Sequence, residues 1–193
     1  MYQKGNKELR ILALYLADYT TQFYLREISK LARLPLKTTQ NIVFILEQNK
    51  ILKSNVRGKN KYFRLNLENI ETRNYLLQTE ICKANSFMER YPAVKTFLKS
   101  IKTNDPIIVF GSFAKGTAGK DSDMDILIIS NKELKLPLHL LGYTAHIIRL
   151  SEKAFIKAVD KQEAFTLEIG KAHVILNNSS VYVNTLWNFY GNK

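Results

Sequence analysis

Two short apolar runs, Ile107-Ile108-Val109-Phe110 and Ile126-Leu127-Ile128-Ile129, constrain the fold more than any other feature of the chain. Wholly apolar stretches of this length, rich in β-branched residues, are of the kind found in buried strands. The first stops at Gly111-Ser112, and the second is entered through Asp121-Ser122-Asp123-Met124-Asp125. Glycine at 111 lets the backbone turn sharply and come close to a ligand. Ser112 would then open a short helix whose N–H groups and hydroxyl can hold a phosphate. Alone, a Gly-Ser pair after a strand is ordinarily just a turn. Asp123 and Asp125 add the decisive element. Residues two apart in a strand share a face, so both carboxylates project together and repel unless a cation sits between them. The alternative is that they merely cap a loop. Hard oxygen ligands at this spacing suit Mg²⁺, the usual companion of a triphosphate. A P-loop is excluded, because Thr117 rather than lysine follows Gly116.

Taken together, Gly111-Ser112, ten intervening residues and Asp123-x-Asp125 resemble the signature of the DNA polymerase beta superfamily, particularly its minimal nucleotidyltransferases. The likeness is close over GSFAKGTAGKDSDMDILII and looser over about residues 92 to 193. It implies a nucleotidyltransferase fold with a mixed β-sheet flanked by helices. It also implies that Gly111 and Ser112 hold the triphosphate, with Lys115 either touching phosphate or simply solvated. Asp123 and Asp125 would be the catalytic carboxylates, binding metals that activate the acceptor and the α-phosphate. The implied reaction is Mg²⁺-dependent attack on the α-phosphate of a nucleoside triphosphate, ATP favoured, with pyrophosphate leaving. A protein hydroxyl is the favoured acceptor, as in some antitoxins of the family; a nucleic acid or small molecule is not excluded.

Members of the family usually add a third acidic residue on a later strand. The strand expected here is Tyr143 to Leu150, and His146 takes that place. Histidine can ligate a divalent metal, but it does so neutral and is softer than Mg²⁺ prefers. Otherwise His146 is a buried, hydrogen-bonded strand residue. Glu152 is a weaker substitute. The histidine therefore also supports a rival reading, a transcriptional regulator whose nucleotidyltransferase domain senses nucleotide or is inactive.

The N-terminal third reads differently. Lys7 to Tyr19 places Leu9, Leu12, Ala13 and Leu16 at helical intervals, and Tyr24 to Leu34 does so with Leu25, Ile28, Leu31 and Ala32. Pro35 precedes a third helix from Leu36 to Asn49. Ile51 to Val56 and Lys61 to Leu67 then read as strands joined by Arg57-Gly58-Lys59-Asn60. Three helices and a hairpin resemble the winged-helix family of DNA-binding domains. The resemblance implies that Lys37, Thr38, Gln40 and Asn41 meet base edges in double-stranded DNA. Arg57, Lys59, Lys61 and Arg64 would then face phosphates from the hairpin. Charge agrees: residues 1 to 66 hold 13 Lys and Arg against 4 Asp and Glu, while the rest hold 16 against 13. A basic hairpin on a protein-binding domain is the alternative.

The chain is therefore expected to be α+β in three parts: a winged helix-turn-helix at 1–66, a connecting helix at 67–91 and a nucleotidyltransferase domain at 92–193. The connector shows a stripe of Ile70, Leu77, Ile81 and Met88, suited to packing on a neighbouring domain or to pairing two protomers in a homodimer. Helices are also expected at 151–160, 162–171 and 179–190, the last carrying an aromatic stripe of Tyr182, Leu186, Trp187 and Tyr190. No apolar run approaches bilayer length, so no membrane partner and a cytoplasmic location are expected. The single cysteine, Cys82, excludes an internal disulfide.

Overall fold

The computed structural model describes residues 6–192 and divides into two compact units: residues 80–185, and the chain up to Thr79 together with the segment from Leu186. In the N-terminal unit, α1 (Lys7–Leu12) is capped by the Asn6 side chain, which accepts from the N–H groups of Glu8 and Leu9. The helix expected to reach Tyr19 stops sooner, tightening into a 3-10 turn at Ala13–Tyr15. Tyr15 and Tyr19 are both buried, and the Tyr15 hydroxyl donates to the Phe63 carbonyl at 3.1 Å. That long-range anchor replaces further helical turns.

A strand absent from the sequence reading, β1 (Phe23–Tyr24), precedes α2 (Leu25–Ala32) and α3 (Leu36–Gln48). The Glu27 carboxylate accepts from the Tyr24 N–H at 2.9 Å and secures the start of α2. Then β2 (Leu52–Arg57) and β3 (Asn60–Leu65) form an antiparallel hairpin. Its turn is the pair Gly58-Lys59, with Gly58 at a φ of 60° that glycine adopts without strain. The three strands lie in the order β1-β3-β2. Ile11, Leu12, Ile28, Val43, Leu46, Leu52 and Leu65 bury the apolar faces of these elements.

Next, α4 (Ile70–Arg90) is the expected helix, but its buried face is not the expected stripe. Ile70 and Ile81 are each 53% exposed, whereas Thr72, Leu76, Thr79, Glu80, Ala84 and Phe87 are buried. The buried set keeps helical spacing but places polar side chains inside, and this hides it from a count of apolar residues. The unit boundary falls within this helix, between Thr79 and Glu80.

The second unit continues with α5 (Pro92–Lys99), β4 (Ile107–Phe110), α6 (Gly111–Lys115) and β5 (Met124–Ile129). It is completed by β6 (Ala145–Leu150), α7 (Glu152–Asp160), α8 (Ala164–Lys171), β7 (His173–Asn177) and the part of α9 (Ser179–Gly191) up to Thr185. The four strands form a mixed sheet in the order β6-β5-β4-β7, in which only β5 and β6 run parallel. Alternation divides its apolar residues between two faces. Ile107, Val109, Met124, Ile126, Ile128 and Val174 pack with Phe87, Val94 and Phe97. Phe155, Val159, Ile169, Tyr182 and Val183 are buried on the following helices. In the aromatic stripe Tyr182 and Leu186 are buried, and the Tyr190 ring lies 5.3 Å from that of Tyr19. No helix among the described residues is long and apolar enough to cross a membrane.

Candidate active site

One end of the mixed sheet gathers the chemistry. There β4 finishes, while β5, β6 and β7 begin, because β4 runs against β5 and β7 and β6 runs with β5. Register aligns a row across the sheet: His146 pairs with Asp125, Asp125 with Phe110, and Phe110 with His173. The spacing of apolar runs therefore delivers Asp125 and the Gly111-Ser112 turn to one place.

Gly111 follows Phe110 with a φ of 68°, and a Cβ built on it would overlap Oδ2 of Asp125. The missing side chain thus lets the carboxylate lie directly against the start of α6. Ser112 is half-buried, and its carbonyl accepts from the Thr117 N–H at 3.0 Å, folding the chain after α6 back on itself. In the approach to β5, Ser122 Oγ accepts from the Gly119 N–H at 2.8 Å. The Met124 N–H donates to the Thr144 carbonyl at 2.8 Å. These bonds hold the segment that carries Asp123, whose side chain is exposed.

His146 is not the buried strand residue allowed by the sequence. Its side chain is 65% exposed, and Nδ1 stands 3.3 Å from Oδ1 of Asp125, itself 31% exposed. The strand begins at Ala145, two residues later than expected, because Tyr143 leaves the sheet to meet Phe113 edge-on at 4.9 Å. Among the described residues, no group of three or more histidine, cysteine or acidic side chains is gathered tightly enough to hold a metal ion. Asp125 and His146 meet, with Asp123 on the adjoining turn. Glu152 is excluded as a third ligand: it follows the far end of β6, more than about 13 Å along the strand from His146.

Lys115 is engaged elsewhere. Its Nζ lies 3.6 Å from the Glu168 carboxylate on α8, a solvent-exposed ion pair.

Behind the row lies a buried group that sequence reasoning missed. His173 Nε2 is 2.7 Å from Glu80 Oε1, His173 Nδ1 is 3.0 Å from the Ile169 carbonyl, and Lys83 Nζ is 3.5 Å from Glu80 Oε2. A carbonyl only accepts, so Nδ1 carries a hydrogen, and the contact at Nε2 requires a second proton between imidazole and carboxylate. Burial pushes the Glu80 carboxyl up, but His173 and Lys83 outweigh it and hold the group below the usual carboxylate range. Glu80 is therefore held as the carboxylate. Burial likewise pulls the Lys83 ammonium down, opposed by Glu80. Neither Glu80 inside a helical pattern nor His173 at the head of His-Val-Ile-Leu-Asn carries a sequence signal for this partnership.

In the N-terminal unit, Lys37, Gln40 and Asn41 are exposed on α3, whereas Thr38 is half-buried. Arg57, Lys59, Lys61 and Arg64 lie on the hairpin, but Lys61 donates to Glu47 at 2.8 Å and is charge-compensated. A groove of about 670 Å³ runs between α3 and the hairpin, with Gln40, Phe44, Lys59 and Lys61 on its walls. Phe44, 57% exposed there, was not among the expected contact residues.

Residues 92–180 match the family model of the nucleotidyltransferase domain. The match spans the sheet and takes in Gly111, Ser112, Asp123, Asp125 and His146. No curated protein matches the chain.

Proposed function

We propose that the domain at residues 92–180 transfers a nucleoside monophosphate from a nucleoside triphosphate, ATP favoured, to an acceptor hydroxyl, a protein side chain favoured. The observation that carries this reading is the seat of the Asp125 carboxylate against Cα of Gly111, where a Cβ would displace Oδ2. Hydrogen-bonding groups of the Gly111-Ser112 turn and a carboxylate are thereby presented to one ligand. The donor set suits a divalent cation: Asp123 and Asp125 supply hard oxygens, and His146 supplies a nitrogen beside them. Bound there, Mg²⁺ would offset charge on the phosphates and lower the pKa of the attacking hydroxyl. The protein's own residues position. The Gly111-Ser112 turn holds the triphosphate so that the acceptor oxygen attacks the α-phosphate in line. A new P–O bond forms, the bond to the β-phosphate oxygen breaks, and pyrophosphate departs. Incubation with α-labelled ATP and Mg²⁺ should label the protein itself or a supplied acceptor, with release of pyrophosphate. Nucleotide binding without pyrophosphate release would favour the second reading, a nucleotide-sensing regulator. The contact of His146 with Asp125 Oδ1 supports that rival, since it occupies an oxygen that a metal would need.

For the N-terminal unit we propose a winged helix that binds double-stranded DNA, with α3 presenting Lys37, Gln40 and Asn41 to base edges. Arg57, Lys59 and Arg64 remain to neutralise phosphates once Lys61 is discounted. The logarithm of affinity for a duplex should fall with log salt at a slope of about −3. Fluorescence anisotropy across a salt titration reads this slope. A flat response, or no binding at low salt, would assign the basic hairpin to a protein partner.

A further inference from the structure

Arg90 closes α4, two residues before the matched segment begins. Its guanidinium is seated against the turn that ends α6. Nη2 lies 3.5 Å from the Gly116 carbonyl, and a Cβ on Gly116 would stand 2.9 Å from Nη1. Gly116 adopts a φ of 74°, a conformation that favours glycine, and a side chain there would displace the end of Arg90. The guanidinium carbon also lies 5.4 Å from the centre of the Tyr91 ring. Helix α6 has only five residues, so at about 1.5 Å rise each its two ends are about 8 Å apart. Arg90 is thus within a side chain's reach of a polyphosphate resting at Ser112. The residue is exposed, and its hydrogen bond to Gly116 is long and uses one of its five donors, leaving others for a ligand. Lys115, the cation expected for this task, is instead engaged by Glu168.

We infer that Arg90 binds the terminal phosphates of the nucleoside triphosphate and neutralises pyrophosphate as it leaves, an inference that rests on the transfer reading above. A planar guanidinium takes two phosphate oxygens at once, which a lysine cannot do. The site then extends beyond the domain's matched boundary, onto the last turn of α4.

Calorimetric titration of the full chain with ATP, ADP, AMP and inorganic tripolyphosphate in Mg²⁺ tests this. Wild type should bind ATP and tripolyphosphate more tightly than AMP. Arg90→Ala should weaken both by about tenfold or more, the size of a lost charge-assisted hydrogen bond, while leaving AMP unchanged. Arg90→Lys should recover only part of the loss. An unliganded unfolding midpoint equal to wild type rules out a merely structural effect, and if the alanine variant does not fold, the lysine variant decides. Wild-type affinity for ATP in Arg90→Lys and Arg90→Ala, or an equal loss for ATP and AMP, overturns the inference while leaving the transfer reading intact. Failure of wild type to bind ATP at all removes both.

Discussion

Gly111→Ala is expected to abolish nucleotidyl transfer as completely as Asp125→Asn, although it removes no reactive group. The methyl would occupy the position of Asp125 Oδ2, so the carboxylate must leave its place beside α6. At a φ of 68° any side chain is also strained, by about 1–3 kcal/mol. Asp125→Asn loses the charge that would hold the cation; Gly111→Ala keeps the charge and loses its position. Stabilisation of the transition state by a bound cation amounts to several kilocalories per mole, and each ~1.4 kcal/mol is tenfold in rate. Both variants should therefore fall by about a thousandfold or more in initial rate of label transfer. Circular dichroism would show an unchanged fold. Transfer within a few-fold of wild type in Gly111→Ala would break the proposed link between turn and carboxylate. Activity surviving in Asp125→Asn would remove that residue's metal role.

The site was legible because its determinants are local. Gly111 and Ser112 follow one apolar run, Asp123 and Asp125 precede another, and strand pairing needs only to bring the runs side by side. Phe110 and Asp125 are indeed register partners. His146 was placed by the family resemblance, one strand further, and it does pair with Asp125. What spacing could not disclose was the environment of each group. Whether His146 is buried depends on what covers β6, and the engagement of Lys115 depends on Glu168, a residue far away in sequence.

The fold shows the same division. Pro35 and the change of period after Asn49 marked α3 and the hairpin, since both are punctuated by residues with restricted or permissive backbones. Strand β1 escaped notice because Phe23-Tyr24 is two residues long and exists only through pairing with Tyr62 and Phe63. Strand β7 begins with a histidine whose burial depends on Glu80, from another element. In α4 the same residue, buried and polar, displaced the inward face from the apolar stripe. Tertiary partnership decided these elements, and a single sequence does not record it.

That partnership yields the largest stability effect expected in the molecule. Glu80 is fully buried and His173 is 1% exposed, and Nε2 of the ring lies 2.7 Å from the carboxylate. Removing Glu80 takes the acidic partner from both His173 and Lys83, and removing His173 leaves the carboxylate with Lys83 alone at 3.5 Å; breaking a buried pair in this way costs about 3–5 kcal/mol. Glu80→Gln and His173→Ala should therefore each lower the unfolding midpoint by about 10 °C in a chain of this size. Glu80 ionises more readily folded than unfolded, so its contribution is complete above the ordinary carboxylate value of 4.5. It is lost as pH falls below that value toward the depressed folded one. Glu80→Gln should accordingly remove part of the acid sensitivity along with the stability, and the gap between variant and wild type should narrow below pH 4.5. Thermal unfolding from pH 3 to 7 measures both. A constant gap across that range would mean that the carboxylate's charge is not what stabilises the fold. Because His173 is the register partner of Phe110, the residue before Gly111, the same loss should loosen the end of the sheet that seats the Gly111-Ser112 turn. Transfer activity should then decline at temperatures well below the unfolding midpoint, with the variants losing it sooner than wild type.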